Sequence, residues 1–115
     1  MLAVLSACAA LAAGPGASDP PLRAQVSPRF GPAPSPVRVQ AIVAPATENR
    51  GLLIVIESDD YFRSSTLPLE GDAASRVHVA DFRSVPAGVH HITVALLDQQ
   101  GDRRAVVRDA IELIN

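Results

Sequence analysis

From Pro36 onward, apolar and polar residues alternate with a period of two. Val37, Val39, Ala41 and Val43 fall on one face of an extended chain, and Arg38 and Gln40 on the other. Pro45 to Gly51 reads as a turn. Leu52 to Glu57 is a short run rich in β-branched residues, ended by Ser58-Asp59-Asp60. Its length and bounding turns predict a buried central strand. Tyr61 to Leu69 is a further strand, and Pro68, which has no N–H to donate, assigns it to an edge or a bulge. Val77 to Phe82 follows, then Val89 to Asp98, the clearest alternation in the chain. Gln99 to Asp102 supplies a tight hairpin connection in which Gly101 can take a positive φ. Arg103 to Ile114 returns from that hairpin. A period of two puts Ala105, Val107, Ile111 and Leu113 inside, whereas Val107, Ala110, Ile111 and Ile114 also recur at helical spacing. A strand is preferred, because the hairpin partner would otherwise present a bare edge.

These segments predict an all-β fold over residues 37–115, a small antiparallel sandwich of about six to seven strands or a small barrel. The front of the chain has a different character. Residues 1–13 are uncharged, small and apolar, too few to span a bilayer, and lead into Gly14-Pro15-Gly16. They fit the apolar region of a secretory signal, although no basic residue precedes them. Leu5-Ser6-Ala7-Cys8 also resembles the lipobox of bacterial lipoproteins, in which Cys8 would carry the lipid. Both readings predict export to the periplasm, the cell envelope or the medium, with membrane contact only through a lipid anchor. Residues 14–36 contain seven prolines in 23 positions and are expected to form a disordered, extended spacer. Phe30 is the one large apolar residue there.

Composition sharpens this picture. Hydrophobic residues make up 48% of the chain and aromatic residues only 3%, so the core must be aliphatic. The net charge of −2, with all ten basic residues arginine, gives no footprint for nucleic acid. A single cysteine excludes an internal disulfide.

Candidate chemistry is sparse. His90 and His91 are adjacent on a strand and face opposite ways, so they do not ligate one ion together. His78 would approach one of them only if their strands pair. Ser64 and Ser65 lack a nucleophile elbow and read as strand surface; Asp59 and Asp60 read as turn aspartates that accept backbone amides. No enzyme, cofactor or metal is expected, and a small metal-binding or catalytic protein is the weakest alternative. Tyr61, Phe62 and Arg63 combine rings and a guanidinium beside a loop, a composition enriched at interaction hot spots. Leu53 and Val55 are apolar on the face opposite Leu52, Ile54 and Ile56, which calls for a cover: the segment around Phe30, or a second subunit.

Val85-Pro86-Ala87-Gly88-Val89-His90-His91-Ile92-Thr93-Val94-Ala95-Leu96-Leu97-Asp98 resembles the closing hairpin of bacterial immunoglobulin-like modules, as does Tyr61 to Ser65 the segment after an early core strand. The resemblance covers roughly residues 37–114. It implies a sandwich with His90, Ile92, Val94 and Leu96 inward, and His90 at the corner position that usually holds Tyr. It carries fold only. The expectation for function is a non-catalytic exported module in contact with protein or cell-envelope glycan, or an accessory subunit of an envelope assembly.

Overall fold

The computed structural model of the protein describes residues 20–115. The signal readings, Cys8 and the first part of the spacer lie outside the described residues. Eight strands occur among those described: β1 (Leu22–Ser27), β2 (Phe30–Pro32), β3 (Ser35–Val43), β4 (Gly51–Ser58), β5 (Tyr61–Pro68), β6 (Val77–Val85), β7 (Gly88–Leu97) and β8 (Arg103–Ile114). One 3-10 turn, Gly71–Ala73, lies between β5 and β6. The strands form two sheets, β1–β3–β6 and β2–β8–β7–β4–β5. All pairings are antiparallel except β2 with β8, which is parallel. The described residues therefore form an all-β, two-sheet sandwich, with Arg103–Ile114 a strand and not a helix.

Alternation explains which side chains meet between the sheets. Val37, Val39 and Ala41 from β3, Leu52, Ile54 and Ile56 from β4, and Val94 and Leu96 from β7 are wholly buried. Ile92, Ile111 and Leu113 are nearly so. Each aliphatic side chain removed from water in this way contributes about 1.5–3 kcal/mol. Gly101 takes φ 85° in the β7–β8 hairpin, as its place there requires. The Asp98 carboxylate accepts the backbone N–H groups of Gln100 and Asp102, each at 2.9 Å, and so holds that turn.

The expectation of a disordered spacer through residue 36 is corrected over its described part. Leu22 and Val26 of β1 are core residues, and β1 pairs with β3 from Leu22–Val43 to Ser27–Arg38. The prolines punctuate these strands instead of abolishing them. Pro20 and Pro21 precede β1, Pro28 and Pro34 lie between strands, Pro32 closes β2, and Pro36 sits at the register irregularity of β3 between Ser35 and Val37. At none of these places does a missing N–H break a run of rungs. β1 joins one sheet and β2 the other, so the segment crosses the edge of the sandwich between them. A bidentate ion pair secures the crossing: Arg29 donates to both carboxylate oxygens of Asp109 on β8, at 2.5 and 2.9 Å. The hydrogen bond from Arg29 holds the Asp109 carboxyl below the usual range for aspartate, and the hydrogen bond from Arg38 does the same to Asp81 across β3 and β6.

Two outcomes follow. A fragment of residues 37–115 lacks Leu22 and Val26, a loss of roughly 3–6 kcal/mol of burial, comparable with the whole stability of a small domain. Its urea midpoint is expected well below that of residues 20–115, or it does not fold; equal midpoints would show that β1 and β2 are dispensable. For Asp81 and Asp109, the unfolded chain takes up protons before the folded one as the pH falls. Their contribution is therefore complete above about pH 4 and disappears as the pH drops through the lowered folded-state values. Denaturation midpoints measured from pH 6 to pH 2 should decline over that acid window, and Asp109→Asn should flatten the decline.

Candidate functional site

Tyr61, Phe62 and Arg63 open β5, an edge strand of the five-stranded sheet, and alternation divides them. Tyr61 turns inward and is half-buried. Its ring meets that of His90 edge-on, with centroids 5.6 Å apart and planes at 82°. The Arg63 guanidinium lies 4.9 Å over the Tyr61 ring centroid, and Arg63 Nη1 donates to the Phe62 carbonyl at 2.8 Å. Phe62 points to the opposite side and is 55% exposed. Tyr61 thus braces the fold, while Phe62 and Arg63 are at the surface on opposite sides of the strand.

Phe62 belongs to a larger array on the outer face of the five-stranded sheet. The registers set Phe62, Glu57, His91 and Ala110 in one row across β5, β4, β7 and β8. The next row is Ser64, Val55, Thr93 and Arg108, and the one after it Thr66, Leu53, Ala95 and Val106. Leu53 and Val55 are half-buried, so they are covered by neighbours in the sheet and by no further layer among the described residues. Towards the β6–β7 corner, Phe30 and Val89 flank Glu112. The backbone of Phe30 is locked into β2, yet its ring is 62% exposed. Leu53, Val55 and Val106, with the wholly buried Ala95, therefore set aliphatic side chains among Ser64, Thr66, Thr93 and Arg108 on a face whose parity would ordinarily be polar in a sandwich of this kind.

His90 is wholly buried on β7. Its Nε2 lies 2.7 Å from the Pro86 carbonyl, four residues earlier. A carbonyl only accepts, so Nε2 carries the proton; Nδ1 is buried without a partner among the described residues. This bond from ring to backbone ties the start of β7 to the β6–β7 corner.

The other candidates stay apart. His91 faces outward beside Glu57, and with Asp59, Asp60 and Val89 it borders an open cleft of about 640 Å³ between the β4–β5 turn and the β6–β7 corner. His78 lies at the far end of β6, in the other sheet, with Nε2 2.7 Å from the Ser75 carbonyl. β6 and β7 do not pair. Ser64 and Ser65 lie on β5, two strands from His90. Among the described residues no three His, Cys, Asp or Glu side chains converge as a metal site would need. One residue was invisible to sequence reasoning. Asn49 is wholly buried in the β3–β4 loop, where its Nδ2 donates to the Ala44 carbonyl at 3.0 Å and its Oδ1 accepts from Arg104 on β8. Its backbone carbonyl accepts from Gly71 N–H at 2.9 Å. Asparagine in a turn is ordinary, and a partner 55 residues away leaves no local signal.

Replacing His90 with Phe keeps a ring of similar size and leaves the Pro86 carbonyl without its donor, at about 1–3 kcal/mol. His90→Ala also opens a cavity and should cost roughly 3–5 kcal/mol in all. Chemical denaturation reads both; a His90→Phe variant as stable as the wild type would remove the corner bond from the account.

Comparison with protein-family models, curated proteins and solved structures finds no match to this chain.

Proposed function

We propose that the protein is a non-catalytic, exported immunoglobulin-like module that works by surface contact. Three features support the immunoglobulin-like reading: the split of strands between β1–β3–β6 and β2–β8–β7–β4–β5, a first segment that gives one strand to each sheet, and the His90–Pro86 corner bond. The apolar run of residues 1–13 supports export, either as a cleaved signal or through Cys8 as a lipid-bearing residue. The contact reading rests on one observation, the half-buried aliphatic side chains of Leu53, Val55 and Val106 on the outer face beside the wholly buried Ala95, with Phe62 exposed at their margin. Apolar side chains grouped in this way mark sites of association. Their aliphatic composition favours a protein partner over a glycan, since sugar sites place hydrogen-bonding groups around an aromatic platform.

A second reading, an accessory subunit that adds a strand to a neighbouring sheet, is favoured by β6. This edge strand runs nine residues without proline or glycine, and Val77 and Val79 are exposed on it.

A photo-crosslinking residue at position 62, with a control at Arg23 on the outer face of the other sheet, tests the contact reading in a bacterial host. Adducts to protein from position 62 and none from position 23 are expected, together with a processed or lipidated N-terminus by mass spectrometry. Equal adducts from both positions, or an unprocessed cytoplasmic chain, would overturn it. Adducts from position 77 or 79 alone would favour strand addition, and binding on a glycan array lost in Phe62→Ser would favour sugar.

A further inference from the structure

We propose that the open edge of β6 and the inner face of β5 form a slot for one strand, filled by an extended segment of a partner protein that alternates in polarity and carries an acidic residue. The inference deepens the second reading above by making the exposed edge a receiving site and stating the chemistry of what enters it. It is independent of the contact reading for the outer face.

Two observations meet at this slot. Val43 N–H donates to the Arg76 carbonyl at 2.7 Å, so Arg76 faces β3, and alternation along β6 turns the backbone groups of His78, Ala80 and Phe82 the same way. The N–H and C=O groups of Val77, Val79 and Asp81 therefore point away from β3, and no strand pairs with them among the described residues. The second observation concerns the layer beneath. Three strands face five. On the inner side of β4, Leu52, Ile54 and Ile56 are wholly buried; opposite them on β5, Leu67 and Ser65 are half-buried and Arg63 is exposed. The cover stops above β4. A strand laid beside β6 lies over β5, completes the rungs and takes these side chains out of water.

The slot has two ends. The Gly71–Ala73 turn carries the chain from β5 to β6 and closes one of them. At the other, Ser84 takes φ 55° and ends the regular edge. The ladder between them is about 20 Å long, room for six or seven residues. A second copy of β6 does not fit there. Edge-to-edge pairing about a two-fold would bring each β5 beneath the β6 of the other copy, a place already held by that copy's β4. A lone strand meets no such obstruction. Leu67 calls for an aliphatic residue on its inward side. Towards the β6–β7 corner, the Arg63 guanidinium has no carboxylate partner among the described residues and calls for an acidic one.

The probe is a peptide with blocked ends, Thr-Asp-Thr-Val-Thr-Val-Thr. Antiparallel to β6, it sets its aspartate at Arg63, its valines towards Ser65 and Leu67, and its last three threonines against Asp81, Val79 and Val77. Amide hydrogen exchange on the full chain reads its docking. The peptide is added free, and also joined after Asn115 by a Gly/Ser linker of about fifteen residues, which reaches about 20 Å and holds it at roughly millimolar effective concentration. Docking should slow exchange at Val77, Val79 and Asp81 at least about tenfold and leave Ala80 and Phe82, already bonded to β3, unchanged. N-methylation of those three threonines should abolish the slowing, and N-methylation of the valines should not. Val79→Pro removes an outward N–H and no rung to β3, so it should weaken docking at least about tenfold with little change in the denaturation midpoint; the methylated peptides make the same test on an unaltered fold. Lysine in place of the aspartate should weaken docking to the wild type and improve it for Arg63→Glu. No slowing even with the joined peptide, slowing indifferent to threonine methylation, or slowing at Thr93 and Val106 in place of β6 would each overturn the proposal. Adducts from position 62 without protection of β6 would sink the slot alone, and protection of β6 without those adducts the outer-face reading alone.

Discussion

Every second side chain of β3, β4 and β7 is withdrawn from water into the space between two sheets, and the rest of the molecule is arranged around that requirement. The material is aliphatic: valine, isoleucine and leucine, with Phe82 the one ring in the buried cluster. Such side chains gain from burial in proportion to their area and impose no direction. Direction comes from the backbone ladders, which allow only one face of each strand to point inward. A shift of one residue in any pairing would turn a whole row to solvent, so the core fixes the register as much as the register fixes the core.

The ends of the sandwich are held by polar contacts of a more specific kind. At one end His90 ties β7 back to Pro86, with Tyr61 packed against its ring. At the other, Asn49 gathers the Ala44 carbonyl, the Gly71 amide and Arg104. Each satisfies backbone groups that a loop passing over a closed core would otherwise leave unpaired. The outer face of the five-stranded sheet is the exception to this economy, since Leu53, Val55 and Val106 stay half-buried there without a covering layer among the described residues.

Much of this architecture was legible in the order of residues. The inward faces of β3, β4, β7 and β8 could be read because alternation is a local property, and the Asp98–Gly101 turn because its residues have few other uses. The same alternation is present in Leu22, Ala24 and Val26, yet it was obscured by the surrounding prolines. Density of proline says how often a donor is missing and nothing about whether the donor was needed; here each falls outside a strand, at a strand end or at a bulge. The candidate surface was half legible. Tyr61, Phe62 and Arg63 are neighbours in sequence, but the pleat sends Phe62 to one side and its neighbours to the other. The band that Phe62 joins draws on four strands whose pairing no local pattern announces. Asn49 was not legible at all, because its importance lies in a contact made across the fold.

The parallel pairing of β2 with β8 has a mechanical consequence. Pro20 lies at the end of the sandwich that carries the β3–β4 loop, while β8 runs away from that end to Asn115. Tension applied between these two points acts along β2 and β8 in opposite senses. Once β1 has parted from β3, it slides the strands past each other and strains their rungs, and the Arg29–Asp109 clamp, all at once. A module pulled in this way resists as a lap joint does, whereas a peeling geometry would surrender one hydrogen bond at a time.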